Sequence, residues 1–253
     1  NGPGVALTAS QALQWSSNSY MMQLTIKMLG IEYVPNMTLP EMNKAKVYKE
    51  LRDAFAQYGM GVLTGSGLQN EATGIVEKDI DSAEAMGHLL DLSFGQYDTY
   101  TTLQLAQYAA TVANGGNRIA PHVVEGIYGN DADGGLGSLI STIPTKVLNT
   151  VPISASQMAI IRQGFYDVVH GSGYATGTLL AGAKLTTSAK TGTAETNVGD
   201  TATVNANIVA YAPSESPKLA IGVMFPHLLD EVDQPNKNIA KEIIDAYADM
   251  YPQ

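Results

Sequence analysis

Apolar residues recur every three to four positions along several stretches of this chain, and each such stretch predicts a helix. In "SSNSYMMQLTIKMLG", residues 16–30, Met21, Leu24 and Met28 share one face, Tyr20, Met22 and Ile26 occupy others, and Gly30 ends the run. A segment apolar on nearly every side reads as a buried helix of about three to four turns. "EMNKAKVYKELRDAFAQYG", 41–59, is amphipathic instead, with Val47, Leu51, Ala54, Phe55 and Tyr58 inward and its charges opposite. The glycine-rich stretch 59–74 follows neither the helix nor the strand period and reads as loop. A short helix is predicted near 82–92. A clearer one covers 101–114, with Leu103, Ala106, Ala110 and Ala113 on one face and Gly115-Gly116 as its stop.

The texture changes near residue 116. "RIAPHVVEGIYG" has strand-like β-branched content, and "GNDADGGLG", 129–137, lacks the alternating carboxylates of a calcium loop and reads as a hairpin turn. "SASQMAIIRQGFYDVVHG" opens on a capping box, Ser154 with Gln157, and places Met158, Ile161, Phe165 and Val168 on one stripe. Two apolar runs, "VNANIVAYA" and "KLAIGVMF", are joined by "PSESP", a hairpin signal. A last helix, 237–251, is expected to bury Ile239, Ile243, Tyr247 and Met250 and to expose Lys241, Glu242, Asp245 and Asp249. Strand, hairpin and terminal helix imply an antiparallel sheet with a helix laid across it, so the class is α+β. The reading divides the chain into a mainly helical part, 1–115, and an α/β part, 116–253.

Composition removes several functions. The 253 residues carry 14 Lys and Arg against 24 Asp and Glu, a formal charge of −10, without the clustered cations that a nucleic-acid partner requires. There are no cysteines, so neither disulfides nor a thiolate site is available. The four histidines, 88, 122, 170 and 227, have no ligand spacing, and no metal or cofactor is expected. Gly-rich 59–67 has no lysine at the phosphate-loop position. No apolar run approaches the roughly 20 residues of a membrane span. Without an initiating Met or a signal-like start, the chain reads as an excised segment.

Candidate chemistry concentrates in "TTSAKTGTAET", 186–196. In a strand, Lys190, Gly192 and Ala194 share one side and Thr191, Thr193 and Glu195 the other. On an edge strand, one lysine and nearby threonine hydroxyls suit a carboxylate, Gly192 leaves the backbone approachable, and an outward N–H stabilises an oxyanion. The loop after Glu195, 196–203, reads as mobile and polar, and "LLDEVDQ" as a solvated acidic loop. A second cluster, Ser16, Ser17 and Asn18, stands where a helix begins, as capping residues do.

Together and in this order, Ser16-Ser17-Asn18 and Lys190-Thr191-Gly192-Thr193 resemble the second and third motifs of the penicillin-binding transpeptidases and related β-lactamases. "SFGQ" (93–96), "LQLAQYAATVANGG" (103–116), "APHVVEGIYG" (120–129) and "VAYAPSESPKLAIGVMFPH" (209–227) extend the likeness over nearly the whole chain, toward 2B-like class B members. The resemblance implies a penicillin-binding fold and a D,D-transpeptidase that joins peptidoglycan stem peptides through a serine acyl-enzyme. β-Lactams would act as mimics of D-Ala-D-Ala. It implies that Ser16 relays a proton toward the leaving nitrogen and that Asn18 holds the substrate's amide. On the same resemblance, Lys190 would supply positive potential, Thr191 and Thr193 would bind the terminal carboxylate, and the Thr193 N–H would form half of the oxyanion hole.

It also implies a location on the outer face of the cytoplasmic membrane, an N-terminal anchor outside these residues, and division or elongation machinery as partners. A β-lactam sensor, a serine β-lactamase and a non-catalytic cell-wall scaffold stay open as alternatives.

One departure stands out: no serine in the chain has a lysine three residues later. The first motif, S-x-x-K, is therefore expected upstream, in a remainder of the protein that acts as a partner of this segment. The fold is then incomplete on its N-terminal side, the segment alone does not acylate, and the strand near 218–226 lacks a neighbour. Ala189 stands where the family often has glycine, and its methyl is expected to crowd the strand slightly.

Overall fold

The computed structural model describes residues 5–82, 84–230 and 232–252. Its first half is helical: α1 (Ala9–Gln14), α2 (Asn18–Met28), α3 (Lys44–Gln57), α4 (Ala85–Phe94) and α5 (Thr102–Ala113). Strands then appear as β1 (Asn117–Ile119), β2 (Gly126–Asn130), β3 (Leu136–Thr142) and β4 (Val147–Thr150), followed by α6 (Ala155–His170). A 3-10 turn, Thr178–Gly182, leads into β5 (Ser188–Val198), β6 (Thr201–Ala212), β7 (Leu219–Leu228) and α7 (Pro235–Met250). The fold is α+β, as the patterning implies.

The sheet that organises the site has the order β5-β6-β7 and is antiparallel throughout. Both of its faces are covered. On one, Ile208, Ala210 and Ile221 pack with Leu180 and with Ala240 and Ile244 of α7. On the other, Val209 and Tyr211 meet Ala109 and Val112 of α5 and Met158 and Phe165 of α6. This second core runs across residue 116, so the two parts of the chain share it. A separate core, with Leu29, Val47, Tyr48, Leu51, Leu89 and Leu92, joins α2, α3 and α4. Burial of each such aliphatic side chain contributes about 1.5–3 kcal/mol. The capping box of α6 is present as expected, Ser154 Oγ accepting from the Gln157 N–H. The hairpin turn near 131–135 is held by Asp131 Oδ1, which accepts from the Asp133 and Gly135 N–H groups.

Several details differ from the patterning. Within 16–30 the helix proper is buried only at Thr25 and Ile26, with Ser17 just before its start and Leu29 just past its end, while Leu24 is exposed, because its neighbours cover a single face. Ala54 is exposed on α3. The helix expected over 82–92 begins at Ala85 and reaches Phe94; Ala83 lies outside the described residues. On α5 the deepest residues include two glutamines, with Leu103, Ala106 and Ala110 only half-buried. Gln104 Nε2 donates to Val62 O and Thr73 O, and Gln107 Nε2 to Thr64 O and Ile119 O. These amides satisfy three carbonyls of the glycine-rich loop and one of β1, a demand that hydrophobicity does not register.

α7 is rotated by one residue from the expected face: Asn236, Ala240 and Ile244 point inward, while Ile239, Ile243 and Met250 are exposed. Polar tethers set this rotation. Asn236 Nδ2 donates to Asn207 O, and Asp245 accepts from the Lys184 N–H, which keeps Asp245 half-buried. The segment after Glu195 is strand rather than mobile loop: β5 and β6 pair without interruption from Ser188↔Tyr211 to Val198↔Thr201, closed by Gly199-Asp200. Gly199 supplies the left-handed φ of 59° at that turn. Ala189 does not crowd its strand; its methyl is fully buried in the core beside Ile208 and Ala210. In "LLDEVDQ", Leu228 closes β7 and Glu231 lies outside the described residues. β7 has no further strand neighbour among the described residues.

Candidate active site

The two sequence clusters meet. α1 ends in a tight turn, with the Ser16 N–H bonded to Leu13 O and the Ser17 N–H to Ala12 O. Ser17 caps α2, its Oγ accepting from the Tyr20 N–H at 3.3 Å. Ser16 has φ 50°, a left-handed conformation uncommon outside glycine, which turns its side chain away from the cap. That hydroxyl is met by Lys190, whose Nζ donates to Ser16 Oγ at 2.8 Å and to Thr191 O at 2.6 Å.

Burial pushes the Lys190 ammonium from its ordinary 10.5 down to about 8, with no ionised neighbour contributing. An ammonium only donates, so Ser16 Oγ is the acceptor in this pair and its own O–H remains able to donate elsewhere. A cation and a serine hydroxyl in this relation are close enough to pass a proton between them.

β5 is the sheet's edge. In an antiparallel ladder, both backbone groups of a residue point the same way, and direction alternates along the strand. Thr191 O accepts from Lys190 Nζ, and Thr193 O from Gln96 Nε2 at 3.4 Å. Residues 191 and 193 therefore aim their N–H and C=O groups away from β6. Thr193 and Gly192 are exposed. A Cβ at Gly192 would meet only Asn207 Cβ, at 3.8 Å, so bare strand backbone faces outward there. Thr191 Oγ1 donates to Thr176 Oγ1 at 2.7 Å from the face opposite Lys190.

Ser16, Lys190 and Thr191 are thus joined directly. Gly192 and Thr193 continue along the same edge, and Asn18 stands exposed at the first position of α2, two residues past Ser16. Three residues that the patterning did not single out also belong to the surroundings: Gln14, Thr176 and Gln96. Gln96 lay within a segment marked by resemblance, and Gln14 stands two residues before Ser16. Gln14 and Thr176 are polar residues in a short helix and a loop, where nothing local signals a role. Among the described residues, no group of three or more His, Asp or Glu side chains is arranged to hold a metal ion.

The profile described as the penicillin binding protein transpeptidase domain matches residues 1–245. The chain is 45% identical over 249 residues to penicillin-binding protein 2B of Streptococcus pneumoniae, covering 97% of this chain and 36% of that protein. It is 36% identical to penicillin-binding protein 2A of Bacillus subtilis, over 94% of this chain and 34% of that one. Among solved structures, that of penicillin-binding protein 2B from S. pneumoniae superposes with a TM-score of 0.92 at 45% identity, over 98% of this chain and 40% of its own. The chain therefore spans about a third of the length of these curated relatives.

Proposed function

Since the chain belongs to the penicillin-binding protein transpeptidase domain family, we propose that it supplies one wall of the active site of a peptidoglycan D,D-transpeptidase. The observation that carries this reading is the Lys190–Ser16 contact, which sets a buried cation and a hydroxyl beside an outward-facing strand edge. The substrate is the D-Ala-D-Ala end of a stem peptide, and β-lactams occupy the same place as mimics. The attacking serine belongs to polypeptide outside these residues, because no serine here is followed by a lysine at the third position.

In the acylation step the attacking serine gives its proton to a base that, like the serine, lies outside these residues; its oxygen bonds to the penultimate D-Ala carbonyl carbon, and the C–N bond to the terminal D-Ala breaks. That nitrogen needs a proton, which Ser16 O–H delivers, replenished from the Lys190 ammonium. A lysine near 8 exchanges its proton more readily at neutral pH than an ordinary one. The terminal carboxylate lies against Thr191 and Thr193 within the field of Lys190. Hydroxyls reorient, so Thr176 is able to donate to Thr191 and leave the Thr191 O–H for the carboxylate. The Thr193 N–H, directed out of the sheet edge, faces the developing oxyanion. Asn18, at the exposed start of α2, holds the amide of the substrate's side chain. An amine from a second stem peptide then bonds to the acyl carbon, the ester bond to the serine breaks, and the proton the amine loses restores the serine hydroxyl.

The domain works on the outer face of the cytoplasmic membrane, held there by an anchor outside these residues and associated with division or elongation machinery. No helix among the described residues is long and apolar enough to cross a membrane. The relatives named above are penicillin-binding proteins, which leaves the β-lactamase, sensor and scaffold readings without support. Fluorescent penicillin tests the proposal. The complete protein carrying this chain forms a stable covalent adduct, and residues 1–253 alone form none. An adduct on the isolated segment, or none on the complete protein, overturns it.

A further inference from the structure

The loop of residues 171–177 touches the site through Thr176, and the turn after α1 touches it through Ser16. Adjacent strand residues project to opposite faces, so these two segments grip β5 from its two sides, at Lys190 and at Thr191. Among the described residues, one side chain joins them by hydrogen bonds. We propose that Gln14 is a positioning residue of this site, its carboxamide locking the Ser16 turn to the 171–177 loop so that both hydroxyls stay aligned on β5. The inference rests on the transpeptidase reading and names a residue through which that site is kept in register.

Gln14 is 6% exposed, and a buried primary amide is costly unless its hydrogens are bonded. Its Nε2 donates to Ser172 O at 2.9 Å and Tyr174 O at 3.1 Å, more than 150 residues away in sequence. Ser172, Gly173 and Tyr174 are exposed and outside regular structure, so this amide is a principal anchor of their backbone. The fit is tight on both sides. A Cβ at Gly171 would stand 2.6 Å from Gln14 Nε2, and one at Gly164 of α6 would stand 2.7 Å from Leu13 Cβ. Trp15 adds an edge-on ring contact with Tyr174, centroids 6.4 Å apart.

Ser16 follows Gln14 by two residues, and Thr176 follows Tyr174 by two. The result is a closed circuit: Gln14 to Ser16 along the chain, Ser16 to Lys190, Thr191 to Thr176, and back through the loop to the amide. Two donors directed at two carbonyls are what the position requires. Glutamate has the same shape but brings only acceptors to face those carbonyls, and methionine has the length without either donor.

The test uses the complete protein and fluorescent penicillin under single-turnover conditions, separating the saturating acylation rate from the half-saturating concentration. Gln14→Glu is expected to lower the saturating rate by about 10–100-fold, the scale of a misplacement near 1 Å, and to change half-saturation little. Loosening the site also admits water to Lys190, so the limb of the pH–rate profile near 8 moves to higher pH. A change confined to stability would not move that limb. Gln14→Met shows a smaller loss with the same direction of shift. If Gln14→Glu does not fold, Gln14→Asn keeps a donor one methylene short and gives an intermediate rate.

Folded variants with the wild-type rate and the wild-type limb overturn the inference while leaving the transpeptidase reading intact. A wild-type protein that forms no adduct removes that reading, and this inference with it.

Discussion

Lys190 Nζ lies 2.8 Å from Ser16 Oγ, a contact between residues 174 positions apart in sequence. It joins the edge strand of the sheet to a turn between two helices of the other half of the molecule. Close by lie the outward groups of Thr191 and Thr193, the loop carrying Thr176, and the amide of Gln14 that bonds that loop.

Replacement of Lys190 separates function from folding. Lys190→Met in the complete protein is expected to slow acylation by about 10²–10³-fold, the scale of losing one preorganised donor. Its melting temperature at neutral pH is expected to equal or exceed the wild type's, since a desolvated ammonium is exchanged for an apolar chain. Labelling kinetics and thermal unfolding on the same preparations check both; a large fall in melting temperature would show that Lys190 holds the fold together.

The same burial makes stability depend on pH in a defined direction. Lys190 titrates near 8 in the folded protein and near its ordinary 10.5 when unfolded. Between those values the unfolded chain binds more protons, so this residue's contribution to stability improves as pH rises from about 8 toward 10.5 and is at its least favourable below 8. Denaturant titrations across that window, wild type minus Lys190→Met, should show a rising difference; a flat or falling one contradicts the buried ammonium.

An ion pair to a buried carboxylate supports the segment that brings Gln96 to the strand edge. Arg52 Nε and Nη2 donate to the two oxygens of Asp98 at 2.9 and 2.8 Å, and the Asp98 side chain is 1% exposed. Asp98 also accepts from the Glu77 N–H. Arg52→Ala leaves that carboxylate buried without its cation and is expected to cost about 3–5 kcal/mol, read from the urea unfolding midpoint.

The contact of α5 with β7 depends on Gly222. A Cβ there would stand 2.9 Å from both Ala106 N and Thr102 O of the helix. Gly222→Ala is expected to destabilise the protein by about 1–3 kcal/mol, the usual cost of overpacking a close backbone approach. Chemical denaturation measures it, and a neutral result would show that helix and strand separate freely.

Whereas β3 and β4 carried no signal that was read, the edge strand and the two runs that become β6 and β7 were legible because β-branched content and the "PSESP" turn are local signals. The α+β class followed from them, and the resemblance marked Ser16 and Lys190 by motif. Other features were hidden for physical reasons. The left-handed φ of Ser16 has no sequence signature comparable to glycine. Gln104, Gln107 and Gln14 look like surface residues because polarity is visible in sequence while the carbonyls they satisfy are distant in it. On α7, Ile239–Ile243 and Ala240–Ile244 are equally good stripes by spacing. Asn236 and Asp245, bonded to Asn207 and Lys184, decide between them.

A double-mutant cycle on Ser16→Ala and Lys190→Met, read as acylation rates of the complete protein by fluorescent penicillin, tests most directly whether the two side chains act as one unit. The double variant is predicted to be scarcely slower than the worse single variant, because each change already breaks the relay. Losses that multiply, as for independent residues, would contradict the account.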